Sequence, residues 1–192
     1  MSILKLKSLG SAFLAACACA LLANAAEVPN SGPAPIKLAF FDVELADFSA
    51  GGPLAGQSPE ETARINLTSE RLRELLMKSG RYELVDISAD HPGISAVDAE
   101  PLRLHYLRDC NGCEVDIGRA LGADQTFLAF FKKVSRMEGS LEFHIRDVKT
   151  GASVKRAQAD WRGSTDESWT RAVTWLDRKS TRLNSSHRTG SR

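Results

Sequence analysis

Ile36-Lys-Leu-Ala-Phe-Phe-Asp-Val-Glu-Leu45 is a nearly continuous apolar run rich in β-forming residues, and a glycine-rich loop separates it from Ser58-Pro59-Glu60-Glu61. A run of that kind is expected of a strand covered on both faces, which makes it the central strand of a sheet. Ser58 supplies an N-cap, Pro59 fits the first helical position and Glu61 completes a capping box, so a helix starts here. Ile65, Leu72, Leu75 and Leu76 line one face of that helix, and Gly80 ends it. Tyr82 to Ile87 comes next as a second strand. The βαβ order implies a parallel pair joined by a right-handed crossover.

Beyond this unit, residues 88–109 contain Pro92, Gly93 and Pro101 and read as irregular chain. A short helix is expected from Cys113 to Leu121, closed by Gly122, before a third buried strand, Gln125 to Phe131. Leu141, Phe143 and Ile145 alternate with Glu142, His144 and Arg146, the pattern of a strand with one wet face. Asp147-Val-Lys-Thr-Gly151 then turns the chain into a strand ending near Trp161. Ser164-Thr-Asp-Glu167 reads as a second capping box, and Trp169, Ala172, Val173 and Leu176 give a closing amphipathic helix. The expected fold is α/β: one domain over residues 36–177, a mixed sheet with helices packed on it in the order β-α-β-α-β-β-β-α.

The ends of the chain are of a different character. Lys5 and Lys7 precede the charge-free, apolar stretch Leu9 to Ala23, and Ala23-Asn-Ala-Ala26 offers small residues to a signal peptidase. Residues 1–26 are therefore expected to be a bacterial secretory signal peptide, cut after Ala25 or Ala26, with 27–35 a proline-rich extended leader. Leu14-Ala-Ala-Cys17 also resembles a lipobox, which would leave the protein lipid-anchored through Cys17. No apolar run approaches the roughly 20 residues a membrane-spanning helix needs, so no membrane span is expected. The expected location is periplasmic or secreted. Residues 178–192 carry one aliphatic residue and no periodicity, so a disordered tail is expected. Its Lys179-to-His187 string resembles sequencing-adaptor read-through, which would make the tail non-native.

Charge and cysteine usage narrow the function. The chain has 25 basic and 24 acidic residues; without Lys5, Lys7 and the five basic residues of 178–192, 18 face 24, a body near minus six. No basic stripe supports nucleic-acid binding, and the Lys132-Lys133 pair is expected to be a solvated strand end. If the signal is removed, Cys17 and Cys19 leave with it and Cys110 and Cys113 remain, each the other's only intramolecular partner in an oxidising compartment. Three readings of this pair stay open: a structural disulfide, a redox-active pair at a helix N-terminus, and half of a metal site that His105 could join. Glu114 stands where a c-type haem would need His, and no phosphate loop or nucleophile elbow is present. Asp42 inside the first strand is a candidate buried acid, and His91, His105 and His144 are scattered. Trp175 lies one position off the apolar stripe of the last helix, where an exposed ring would anchor a partner.

The element order, with Leu121-Gly-Ala-Asp124 before a strand and Arg146-Asp-Val-Lys-Thr-Gly151 at a hairpin, resembles the small α/β domain of the TolB N-terminal and CsgG-like envelope proteins. Cys110-Asn-Gly-Cys-Glu114 and Ser164-Thr-Asp-Glu-Ser-Trp169 resemble a secreted domain family of unknown function. The resemblance implies an envelope compartment and a non-enzymatic accessory module that binds another envelope protein, with no cofactor or metal and no catalytic residue. A thiol-disulfide redox protein using Cys110 and Cys113 is the alternative.

Overall fold

The computed structural model describes residues 34–185 apart from 89–90, 96, 98, 105 and 164. The expected signal peptide with Cys17, most of the leader, His105, Ser164 and the last seven residues lie outside that set. The strands are β1 (Ile36–Phe40), β2 (Glu44–Asp47), β3 (Tyr82–Leu84), β4 (Gln125–Ser135), β5 (Glu138–Asp147) and β6 (Ser153–Arg162). The helices are α1 (Gly52–Ala55), α2 (Pro59–Lys78), α3 (Pro92–Ser95), α4 (Glu100–Arg103), α5 (Cys113–Ala120) and α6 (Asp166–Ser185), with a 3₁₀ turn at Leu107–Asp109. The strands form one mixed sheet in the order β3-β1-β4-β5-β6, and β2 extends the β1 side along β4. β1 runs parallel to β3 and β4, while β4, β5 and β6 form an antiparallel meander. The α/β class expected from the sequence is observed, and the expected order holds broadly, with β2 and the short helices α1, α3 and α4 added to it.

Alternation divides the core into two layers. Phe40, Phe127, Phe131, Leu141 and Phe143 face α2 and α6, meeting Ile65, Leu72, Trp169 and Leu176. Ala39, Phe41 and Leu128 face the other way, toward Ile94, Leu107, Ile117 and Leu121. α2 begins as the sequence indicates: the Ser58 hydroxyl accepts from Glu61 N, and Glu61 Oε2 accepts from Ser58 N at 3.0 Å.

Three local expectations are corrected. Residues 36–45 form two strands rather than one, because Phe41–Val43 stand opposite only Leu128 and Ala129 of β4, a one-residue bulge. Asp42 is the extra residue: it is exposed and accepts from Arg73 Nη2 at 2.7 Å, so it is no buried acid. Residues 88–109 are not structureless, for Pro92 opens α3 and Pro101 sits in the first turn of α4, positions where the missing N–H costs nothing. The expected capping box at α6 rests on Ser164, which lies outside the described residues; among those described, Thr165 Oγ1 accepts from Ser168 N.

α5 lies so close to the sheet that a Cβ on Gly118 would stand 2.5 Å from Thr126 Cγ2 and 3.2 Å from Val148 Cγ2. Thr126 and Val148 are buried and have no room to withdraw. Alanine gains about 0.5–1 kcal/mol of helix preference over glycine, whereas overpacking a core costs about 1–3 kcal/mol. Gly118→Ala is therefore expected to lower the urea midpoint, by about 1–2 kcal/mol of stability; an unchanged or raised midpoint would show that α5 can lift off the sheet freely.

Candidate functional site

Cys110 comes directly after the 3₁₀ turn and Cys113 is the first residue of α5, with Gly112 between them at φ 101°, a left-handed conformation that favours glycine. That tight reversal places the two Cα atoms 5.7 Å apart, with the sulfurs within disulfide distance. Closing so short a loop contributes roughly 2 kcal/mol by the loop-closure relation. The segment before it is held more firmly by Glu44 on β2, which accepts from Leu107 N at 2.7 Å, Arg108 N at 3.2 Å and Arg108 Nη1 at 3.0 Å. A shallow hollow of about 440 Å³ beside Cys113 is lined by Val97, Asp116, Arg119 and Ala120.

Trp175 is 42 % exposed, whereas Trp161 and Trp169 are buried with Phe131 in an aromatic cluster. Trp175 borders an open groove of about 750 Å³ with Asp160, Arg162, Ser168 and Arg171, between β6 and α6. The cysteine pair belongs to the layer containing α5 and Trp175 to α6 on the opposite face, so the fold does not bring the two expected sites together.

A wider concave feature went unnoticed in the sequence. At the carboxyl ends of β2 and β4 a cleft of about 950 Å³ is bounded by Gly51–Gly52, the start of α2 and the β4–β5 hairpin. Within it Lys133 Nζ donates to Asp47 Oδ2 at 2.8 Å and to Glu61 Oε1 at 2.5 Å, and the Lys133 side chain is only 13 % exposed. The expected solvated end of β4 is thus a half-buried ion-pair centre. Burial alone would raise the Asp47 carboxyl, but hydrogen bonds from Lys133 and Ser49 outweigh it and hold its pKa below the ordinary value. Burial likewise opposes the Lys133 ammonium, and the two carboxylates more than offset it, raising its pKa. Glu61 serves twice, capping α2 with one oxygen and pairing Lys133 with the other. Val134 and Met137 line this cleft and are 59 and 58 % exposed; Phe48 and Leu54, next in the chain to its lining residues Asp47 and Ala55, are 70 and 94 % exposed.

A second charged centre lies on the α5 side of the sheet, on the part of β5 beyond α5. Glu142 is fully buried, and its carboxylate accepts from Lys132 Nζ and His144 Nε2, each at 2.7 Å, and from Arg156. An ionised carboxylate selects the His144 form with a proton on Nε2. His144, on the wet phase of its strand, is therefore engaged rather than simply solvated. Burial pushes the Glu142 carboxyl up, and the hydrogen bonds from His144, Lys132 and Arg156 together with the Lys132 charge bring it down to about 2.

Because the folded pKa of Glu142 lies below the ordinary 4.5, its contribution is complete above pH 4.5 and is lost as pH falls toward 2. The shift corresponds to roughly 3 kcal/mol. Asp47 adds a dependence of the same sign. Chemical denaturation between pH 2 and 7 should show stability falling below about 4.5. Glu142→Gln should be less stable at pH 7 and flatter through the acid range; an equally steep acid limb in that variant would remove Glu142 as its cause.

Residues 36–180 match the family model DUF3280, described as "Protein of unknown function (DUF2380)". No curated protein matches the sequence. Among solved structures, the chain is similar to the LpoB C-terminal domain from Salmonella enterica at 15 % identity and TM-score 0.43, over 69 % of this chain and 87 % of that one. It is similar to lipoprotein GNA1162 from Neisseria meningitidis at 12 % identity and TM-score 0.43, over 82 % and 100 %. A third is the PelC dodecamer from Paraburkholderia phytofirmans, at 13 % identity and TM-score 0.39, over 74 % and 86 %. With the family model spanning most of its length, the chain belongs to the DUF3280 family of proteins of unknown function.

Proposed function

We propose that the protein is exported to the bacterial periplasm and acts there as a non-enzymatic accessory module of the envelope, recognising a protein partner through the end of its sheet. The observation that carries this reading is the contrast at the cleft. Its charged centre, Asp47, Lys133 and Glu61, is closed upon itself, while Val134 and Met137 in its lining, and Phe48 and Leu54 next in the chain to lining residues, face solvent. Acid–base or nucleophilic chemistry draws on a group poised to exchange protons or attack, and an ammonium held by two carboxylates is neither. Exposed apolar side chains around a polar centre are the composition of a recognition surface. The basic start, apolar stretch and small residues of 1–26 support export, and the Cys17 lipobox keeps a lipid-anchored form as the alternative location. Among the described residues no helix is long and apolar enough to cross a membrane.

The test is site-specific photo-crosslinking in the producing cell, with the probe at Phe48 or Met137 and, as a control, at exposed Lys149 on the far turn. A discrete envelope-protein adduct is expected at the first two positions and weakened by Leu54→Ser. Adducts no stronger than those at Lys149, or a product confined to the cytoplasm, would overturn the reading.

For Cys110 and Cys113 the proposal is a structural disulfide that ties the 3₁₀ turn to α5; their place at the first turn of α5, where a thiolate is favoured, supports redox exchange as the second reading. The reduction potential of the pair decides between them. A value below about −300 mV is expected for a structural bond, and one between roughly −120 and −230 mV would make exchange chemistry the better account.

A further inference from the structure

β6 is an edge strand: among the described residues it pairs with β5 alone. It runs for ten residues, Ser153–Arg162, against a usual five or six, so a long row of backbone N–H and C=O groups faces outward. Its two side-chain phases are sharply different. Ala157, Ala159 and Trp161 point into the core beneath α6, whereas Arg156, Gln158 and Asp160 are exposed on the opposite face of the sheet, which no described helix covers at β6.

We infer that β6 is a self-association edge, and that a second copy of this chain pairs with it antiparallel about a twofold axis through Gln158. A twofold perpendicular to the sheet keeps equivalent faces on the same side, so each residue pairs with one of its own phase. Centred on Gln158, the register sets Arg156 across from the partner's Asp160 and Asp160 across from the partner's Arg156. Opposite charges directly across a strand pair stabilise it. On the core phase the same register sets Ala157 across from the partner's Ala159, small residues that let the backbones approach. Moving the axis one residue to Ala159 would set Arg156 against the partner's Arg162, a like-charge pair that disfavours that register. The groove beside β6, bordered by Trp175, Arg171 and Arg162, lies along the same edge, so Trp175 flanks the seam. This surface is distinct from the sheet end, and self-pairing stands or falls independently of any partner bound there.

The experiment uses the exported chain purified from the periplasm. Sedimentation velocity should show a dimer at micromolar concentrations. Gln158→Cys places two thiols face to face on the axis, at a separation that antiparallel pairing and disulfide geometry share. It should cross-link to a covalent dimer under mild oxidation, far faster than Arg162→Cys. Asp160→Arg puts Arg against Arg in both halves and should weaken the dimer at least about tenfold while leaving the circular dichroism spectrum unchanged. A strictly monomeric native chain overturns the proposal. So does a dimer that Asp160→Arg does not weaken, or in which the cysteine at 158 cross-links no faster than that at 162. Both cysteine positions are exposed, so the comparison survives even if a charge variant fails to fold.

Discussion

β4 pairs with β1 and β2 in parallel along one side and with β5 antiparallel along the other, so both layers of the core are indexed to its alternation. Phe127, Ala129 and Phe131 belong to the layer of α2 and α6, and Leu128 to the layer of α5. A slip of one residue in that pairing would exchange the two sets, which is why the register is strongly specified wherever both faces are buried. The rings of Phe40, Phe127 and Phe143 stack across three neighbouring strands at 5.0 and 5.3 Å. These contacts act only when the register is right.

The bulge at Asp42 is the device that makes this register compatible with the sequence. Strict alternation from Leu38 and Phe40 would send Asp42 and Glu44 into the apolar layer beneath α2, where an unpaired charge costs several kcal/mol. The extra residue expels Asp42 to Arg73 and carries Glu44 to the opposite face, where Arg108 and two backbone N–H groups receive it. The bulge thus has two outcomes: Val43 takes the core place that Asp42 vacates, and β2 gains the anchor for the 3₁₀ turn that leads to Cys110. Glu114 with Arg146 and Glu142 with Arg156 repeat the pattern on the same side of the sheet, each buried carboxylate meeting a guanidinium from another element or strand.

What the sequence made legible was the physics that acts over a few residues. The Ser58–Glu61 box, the Asp147–Gly151 turn and the alternation of Leu141, Phe143 and Ile145 each depend on neighbours within one turn or one strand. The bulge left no local mark, because Phe41-Asp-Val-Glu44 reads as continuous strand until β4 is present to count against. Pro92 and Pro101 were ambiguous for a related reason: a proline that breaks a helix and one that starts a helix differ only in whether the residues after it coil. Lys133 was missed because its carboxylates come from Asp47 and Glu61, 86 and 72 residues away, and only the parallel pairing of β2 with β4 brings them to it. Cys110 and Cys113 and Trp175 were visible as residue types, but their separation on opposite faces was not.

The two helical layers are unequal, and the inequality shapes the exposed half of the sheet. α2 and α6 cover one face across its width, whereas on the other, among the described residues, α5 and the short helices reach β1, β2, β4 and the Arg146 end of β5 but leave Glu142 and β6 without a helix. A bare sheet face is soluble only if polar, yet Glu142 stands there fully buried, because Lys132, His144 and Arg156 close over it. That ionic lid replaces the missing helix. It also orders Arg156 in advance, since a guanidinium already tied to Glu142 has given up part of its rotamer freedom. A charge fixed in this way loses less entropy in any further contact than a free surface arginine would. The same interaction that makes the uncovered face stable therefore leaves the edge strand beside it preorganised.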